Sequence, residues 1–485
     1  MKKLFVLLGI LCTFYFVSCG NIQLAGGDMG VVSLAIGDEL AREIRSAAAS
    51  RNAGVGAYTV TASIRGGYSD SQTVAVADDT YSGVTFTFEG VPVGETIVLD
   101  LTAKANGNYI WYGNSGKHTV ERGENLLTIA LGRVSGVLMW DSSSVKIAPY
   151  GNYDFDNATG TQNPTQDQPP VWCFDAQGNL YVIDNSKSTL RYDLQSNGKY
   201  PTINNGSYPT QNYNLMALSC NNATVYGMSD SAIVDLTKTQ TIDDSTVISF
   251  GGSDVNPPIA FAVHNNIAYV ADQSEGDDDP TPIIKVVGFN LQDKSKQGEG
   301  TPFKLPAIFG NQPTYQMIYH EGALYLLLRR VEINDASNAS EDFPAEHFSI
   351  GALVKINPST LSLDTSFGNG GYLGLSSMKK NFTDLSALDG TSVAAVDFYG
   401  SGNDASTFYG PVGFVAIMPK KLVIADAGFS MEQEGIKVNL TKKTRVITVD
   451  LETLAFETER VEDSYYQSEY PSSSTAGYSY IVITN

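Results

Sequence analysis

The stretch Val171-Trp172-Cys173-Phe174-Asp175-Ala176-Gln177-Gly178-Asn179-Leu180-Tyr181-Val182-Ile183-Asp184, continued by Leu190-Arg191-Tyr192-Asp193-Leu194, decides how this chain reads. Short apolar runs alternate with an Asp/Gly/Asn turn and a brief loop, which predicts strand, turn, strand, loop, strand. The theme returns as Ala217 to Cys220, Val225 to Asp230 and Ala232 to Leu236, and again as Phe261 to His264, Ile267 to Asp272 and Ile283 to Leu291. A fourth copy runs Met317 to His320, Ala323 to Leu327 and Ala352 to Asn357, and a fifth Phe414 to Ile417, Lys421 to Asp426 and Arg445 to Leu451. Asp184, Asp230 and Asp272 close the second strand of the first three copies and lie 46 and 42 residues apart.

That period is the length of a four-stranded propeller blade. The first copy resembles an NHL repeat, and the set resembles NHL-like propellers of six or seven blades. The run Leu363-Asp364-Thr365-Ser366-Phe367-Gly368-Asn369-Gly370-Gly371 resembles a short repeat of bacterial propeller proteins in which Asp and Ser open a Gly-rich turn. The stretch Tyr372 to Gly410 is degenerate. The alternating Tyr478 to Thr484 is expected to complete a blade with Gly136 to Trp140, leaving no open sheet edge.

Upstream, period-two runs at Tyr58 to Ile64, Gln72 to Ala77, Val84 to Phe88, Thr96 to Ala103, Tyr109 to Tyr112 and Leu126 to Leu131 predict an antiparallel sandwich. Thr85 to Gly94, with its Pro-Gly turn, and the later Gly123 to Ile129 resemble strands of immunoglobulin-like or transthyretin-like envelope modules. Gly20 to Gly30 reads as a tether and Glu39 to Ser50 as a short helix.

Lys2 and Lys3 followed by the apolar Leu4 to Val17 read as a secretory signal, too short to span a bilayer. Phe16-Val17-Ser18-Cys19-Gly20 resembles the lipobox of bacterial lipoproteins, with Phe16 where Leu is usual. The resemblance implies lipidation at Cys19 and anchoring to a membrane through buried acyl chains. Gly20 and Asn21 lack the acidic inner-membrane retention signal, so the outer membrane is expected, with neither face specified. Cys12 leaves with the signal, and Cys173 and Cys220 are expected as buried free thiols rather than a disulfide.

The chain has 485 residues, more than one ordinary domain, with 42% hydrophobic residues and a formal charge of -21. Such a charge repels phosphate backbones and excludes a nucleic-acid partner. The expected class is all-β: a lipoprotein signal peptide at 1–18, lipidated Cys and tether at 19–54, an immunoglobulin-like sandwich at 55–132, and a six- or seven-bladed β-propeller at 133–485.

Chemistry-bearing residues are few. Histidines stand only at 118, 264, 320 and 347. His264 and His320 each precede the Tyr of their repeat by the same interval and are the candidate propeller-face contacts, although exposed turn residues are the expected reading. Asp277 to Asp279 reads as a solvated loop. Asp154, Asp156 and Asn157 lack the closing Glu of a calcium loop. Asp184, Asp230, Asp272 and Asp426 are expected to hold the following turns through backbone amides. Tyr181, Tyr226, Tyr269 and Tyr325 recur at the blade period as packing residues, whereas Tyr465, Tyr466 and Tyr470 suit recognition. Neither a phosphate loop nor a Gly-x-Ser-x-Gly elbow is present. No catalytic residue, metal site or cofactor beyond the Cys19 lipid is assigned. The expected function is a lipid-anchored envelope protein whose propeller binds or scaffolds a protein or glycan partner. The alternatives are a lyase- or lactonase-type enzyme with a channel metal, which similar propellers include, and an outer-membrane assembly lipoprotein.

Overall fold

The protein is described by a computed structural model covering residues 28–35, 58–76 and, with breaks, 84–462. It is all-β, and the 3-10 turn Ala307–Phe309 is the one helical element among the described residues. The signal segment, Cys19, Glu39 to Ser50, Asp154, Asp156, Asn157, Asp184, Asp277, Asp278, Tyr465, Tyr466, Tyr470 and Tyr478 to Thr484 lie outside them.

Two sheets precede residue 134. In the first, Met29–Ala35 lies between Thr85–Pro92, antiparallel, and Gly123–Leu127, parallel. In the second the order is Asp70–Val76, Tyr58–Gly66, Thr96–Ala105, Asn108–Thr119, Gly132–Arg133. Alternation aims Val32, Leu34, Phe86 and Phe88 of one sheet and Val60, Ile64, Leu99 and Ile110 of the other into one shared core. Each large apolar side chain so buried contributes about 2 kcal/mol. Met29–Ala35 therefore corrects the expected 19–54 tether: the Val-Val-Ser-Leu run is short, but its alternate residues are fully buried between two partners.

Six further sheets follow among the described residues, antiparallel meanders except for one parallel pair in the fifth. Their first strands are Val137–Trp140, Trp172–Phe174, Ala217–Asn221, Pro258–His264, Thr314–His320 and Pro411–Met418. The last five begin the five predicted repeats. Among the described residues the degenerate stretch supplies no separate sheet. Its Lys379–Phe382 and Val396–Gly400 extend the fifth sheet, the latter pairing in parallel with Ala345–Asn357.

Turns are set by local chemistry. Asp175 accepts the amides of Gln177 and Asn179 at 2.9 Å each and the Asn179 side-chain amide at 2.9 Å, with Gly178 at φ +78°. A second device recurs where third strands end: Asp235, Asn290, Asn357 and Asp450 each accept the backbone N–H two residues on, at 2.8 to 3.0 Å. The Asp364 carboxylate likewise accepts Ser366 N–H at 3.1 Å and Oγ–H at 2.5 Å, opening the Gly-rich turn.

Candidate functional site

The first strands of the second to sixth sheets surround a cavity of about 60 Å³, lined by Trp172, Cys173, Cys220, Gln316, Tyr319 and Phe414 among others. Polar contacts join five pairs of the six sheets. Gly136 N–H donates to Tyr200 Oη at 2.7 Å, Val263 N–H to Ser219 Oγ at 2.8 Å, and Tyr315 Oη to Gln273 Oε1 at 2.6 Å. Phe414 N–H donates to Gln316 Oε1 at 2.7 Å and Ile417 N–H to Ser135 Oγ at 3.0 Å. The second and third sheets are joined covalently, because Cys173 and Cys220 form a disulfide, Cα atoms 6.5 Å apart. This corrects the expectation of free thiols: dissimilar flanking sequence does not prevent two strands from standing side by side.

Trp172 fills the space between. Its Nε1–H donates to the Phe414 carbonyl at 2.9 Å, and its ring lies so close to Gly413 that a Cβ there would come within 2.7 Å of it. A side chain from the second sheet thus reaches the sixth. The remaining space has room for a few waters, well short of the roughly 300 to 1,000 Å³ of a small-molecule site. Among the described residues no three His, Cys, Asp or Glu side chains converge.

The two candidate histidines occupy equivalent ladder positions, His264 opposite Ile267 and His320 opposite Ala323, and each meets the next sheet rather than the other. The His264 ring stacks on Tyr319 at 3.7 Å and 7°, and partial burial lowers its pKa. His320 is buried, which corrects the exposed-turn reading: its turn is covered by the sixth sheet. It hydrogen-bonds the Met418 backbone while Nε2 is buried without a partner. Desolvation drives its pKa down to about 4. His118 contacts Asn125 Oδ1 at 3.0 Å in the N-terminal unit.

Tyr181, Tyr226, Tyr269 and Tyr325 are all buried. Asp426, wholly buried, accepts Tyr409 and Gly410 N–H and pairs with Arg445 Nε at 2.8 Å. Burial raises its pKa against the pull of Arg445 and those amides. It therefore holds the segment leading into its own sheet and not the turn that follows. Asp272 pairs with Lys285 at 3.3 Å at the matching register, while Asp230 is exposed.

Sequence reasoning missed Trp172, Gln316, Ser219 and Ser135 as the residues that join sheets. A signal was present for two of them, since Ser219 and Gln316 are polar residues inside otherwise apolar first strands.

The family described as the TdpA C-terminal domain matches residues 318–475, less than half of the chain. No curated protein matches. Among solved structures, apo AztD from Citrobacter koseri is 11% identical, with 84% of this chain and 94% of that one covered at a TM-score of 0.20. A DUF4623 family protein from Bacteroides eggerthii is 8% identical, with 84% and 100% covered at 0.20. The phage phi92 endosialidase is 9% identical, with 75% and 46% covered at 0.23. At TM-scores this low the likenesses carry no argument about fold or function.

Proposed function

We propose that this chain is an exported, lipid-anchored envelope protein in which an immunoglobulin-like sandwich carries a six-bladed propeller, and that the propeller is a binding module working through an outer face of hairpins. One observation carries the reading: the axis is filled while the outer hairpins are long. In the fourth, fifth and sixth sheets the first strands have 7, 7 and 8 residues. The second and third strands have 10 and 12, 11 and 13, and 14 and 14.

Each first strand pairs with the beginning of its second strand across a tight turn, at 264–267, 320–323 and 418–421. The excess length therefore lies at the opposite end, where three hairpins project from one face. The N-terminal unit meets the other end of the sixth sheet, at Pro419 and Glu452. Lipid at Cys19 then holds the ring with its hairpins turned away from the outer membrane, toward a protein or glycan partner. The Cys173–Cys220 disulfide supports export to an oxidising compartment.

The test is amine-reactive cross-linking in the cells that make the protein, read by mass spectrometry, with an array of envelope polysaccharides for a glycan partner. Cross-links or glycan binding that vanish when 427–444 is shortened to a turn are expected. A partner bound only to the sandwich, or a small molecule held against Trp172 and Gln316, would overturn the reading.

A further inference from the structure

Five of the six sheet junctions join sheets consecutive in the chain, so a short connection keeps the two sides together. The sixth junction joins the first sheet, beginning at Val137, to the last, beginning at Pro411, and its closure carries the largest loop entropy. Across it run Ile417 N–H to Ser135 Oγ and Ser135 N–H to the Ile417 carbonyl at 3.4 Å, and Val134, Val137, Val415 and Met418 share one buried apolar cluster.

The N-terminal unit lies over this seam and touches both sides. Arg65 places Nε 2.5 Å from Asp100 of its own unit, and its Nη2 pairs with Asp450 of the sixth sheet, whose side chain is wholly buried. Tyr112 donates to the same Asp100 at 2.5 Å, and the Lys421 ammonium of the sixth sheet stands 5.0 Å above its ring. Tyr109 packs edge-on against Tyr150, 5.2 Å between centroids. Tyr150, which follows the second strand of the first sheet, meets Thr448 of the sixth at 3.3 Å. Gly132 lies against the Pro419 ring so closely that a Cβ would come within 2.4 Å. Tyr112 and Val134 belong to the same buried cluster as Val137 and Met418.

We propose that the N-terminal sandwich is the clasp of the ring: it bridges the seam between the first and sixth sheets and holds it closed. The inference rests on reading the six sheets as a closed ring and adds to it a role for the domain that carries the anchor. A sandwich that were only a spacer between lipid and propeller would not place Arg65, Tyr109 and Tyr112 on two sheets from opposite ends of the repeat array.

Hydrogen–deuterium exchange on the full chain tests it. In the parent, protection of the Ile417 amide, which donates to Ser135 across the seam, reads the ring itself; an unprotected amide there refutes the ring reading and the clasp with it. In Arg65→Ala, amides of 134–148, 411–418 and 445–450 are expected to exchange roughly tenfold faster or more, while those of 172–264 stay as in the parent. Arg122→Ala, which breaks an exposed pair with Asp28 away from the seam, is expected to change neither.

Arg65→Ala also strands a buried carboxylate. The double variant Arg65→Ala, Asp450→Asn removes that charge while keeping an acceptor for the Thr453 turn. Faster exchange at 134–148 in the double variant upholds the clasp, and return to parental exchange there overturns it, as does a uniform change around all six sheets. Should Arg65→Ala fail to fold, Tyr109→Leu removes the other arm and is read at the same amides in the same way.

Discussion

His320 shows how much one buried side chain sets. Its pKa falls to about 4 on folding, below the roughly 6.5 of the unfolded chain, so between those values the unfolded state holds more protons. Its contribution is fully present above about pH 6.5 and is lost as pH falls toward 4, to about 3 kcal/mol. Urea unfolding of His320→Gln beside the parent across that window checks this: the variant's stability is expected to fall less steeply by that amount. Trp172 is the second such residue. Trp172→Ala removes a buried ring and its hydrogen bond to Phe414, with an expected loss of about 3 to 5 kcal/mol in chemical denaturation. Gly413→Ala should repel the same ring and destabilise from the other side.

At the scale of elements, the disulfide and the buried ion pair do different work. The Cys173–Cys220 bridge spans 47 residues, and chain-entropy reasoning assigns its loss about 4 kcal/mol. Replacing both cysteines by alanine should lower the urea midpoint, and reductant should shift the parent toward the variant without moving the variant further. Asp426 fastens the strand lead at Tyr409 and Gly410 and neutralises Arg445. Asp426→Ala leaves that buried guanidinium without its counter-ion, for an expected loss of about 3 to 5 kcal/mol. Strand positions were legible because short apolar runs bounded by turn residues mark them locally: the predicted first strands Ala217 to Cys220, Phe261 to His264 and Phe414 to Ile417 all lie inside observed ones. The length of the outer hairpins was not legible, because Phe429 to Glu434 and Lys437 to Lys443 lie beyond the repeated core and follow no period.

For the whole molecule, the shared buried cluster of Tyr112 and Val134 with Val137, Val415 and Met418 couples the N-terminal unit to the sheets at both ends of the array. Calorimetry on the full chain is therefore expected to show one cooperative transition, and two separated ones would mean that the units melt independently. The sequence by itself determined the all-β class, the repeat and most strand positions, because each depends on residues a few places apart. Only the tertiary structure decided that Trp172 reaches Phe414, that Cys173 finds Cys220, that His320 is buried and that Met29–Ala35 is a central strand. Those outcomes come from contacts between residues tens to hundreds of positions apart, which strand periodicity and turn chemistry do not encode.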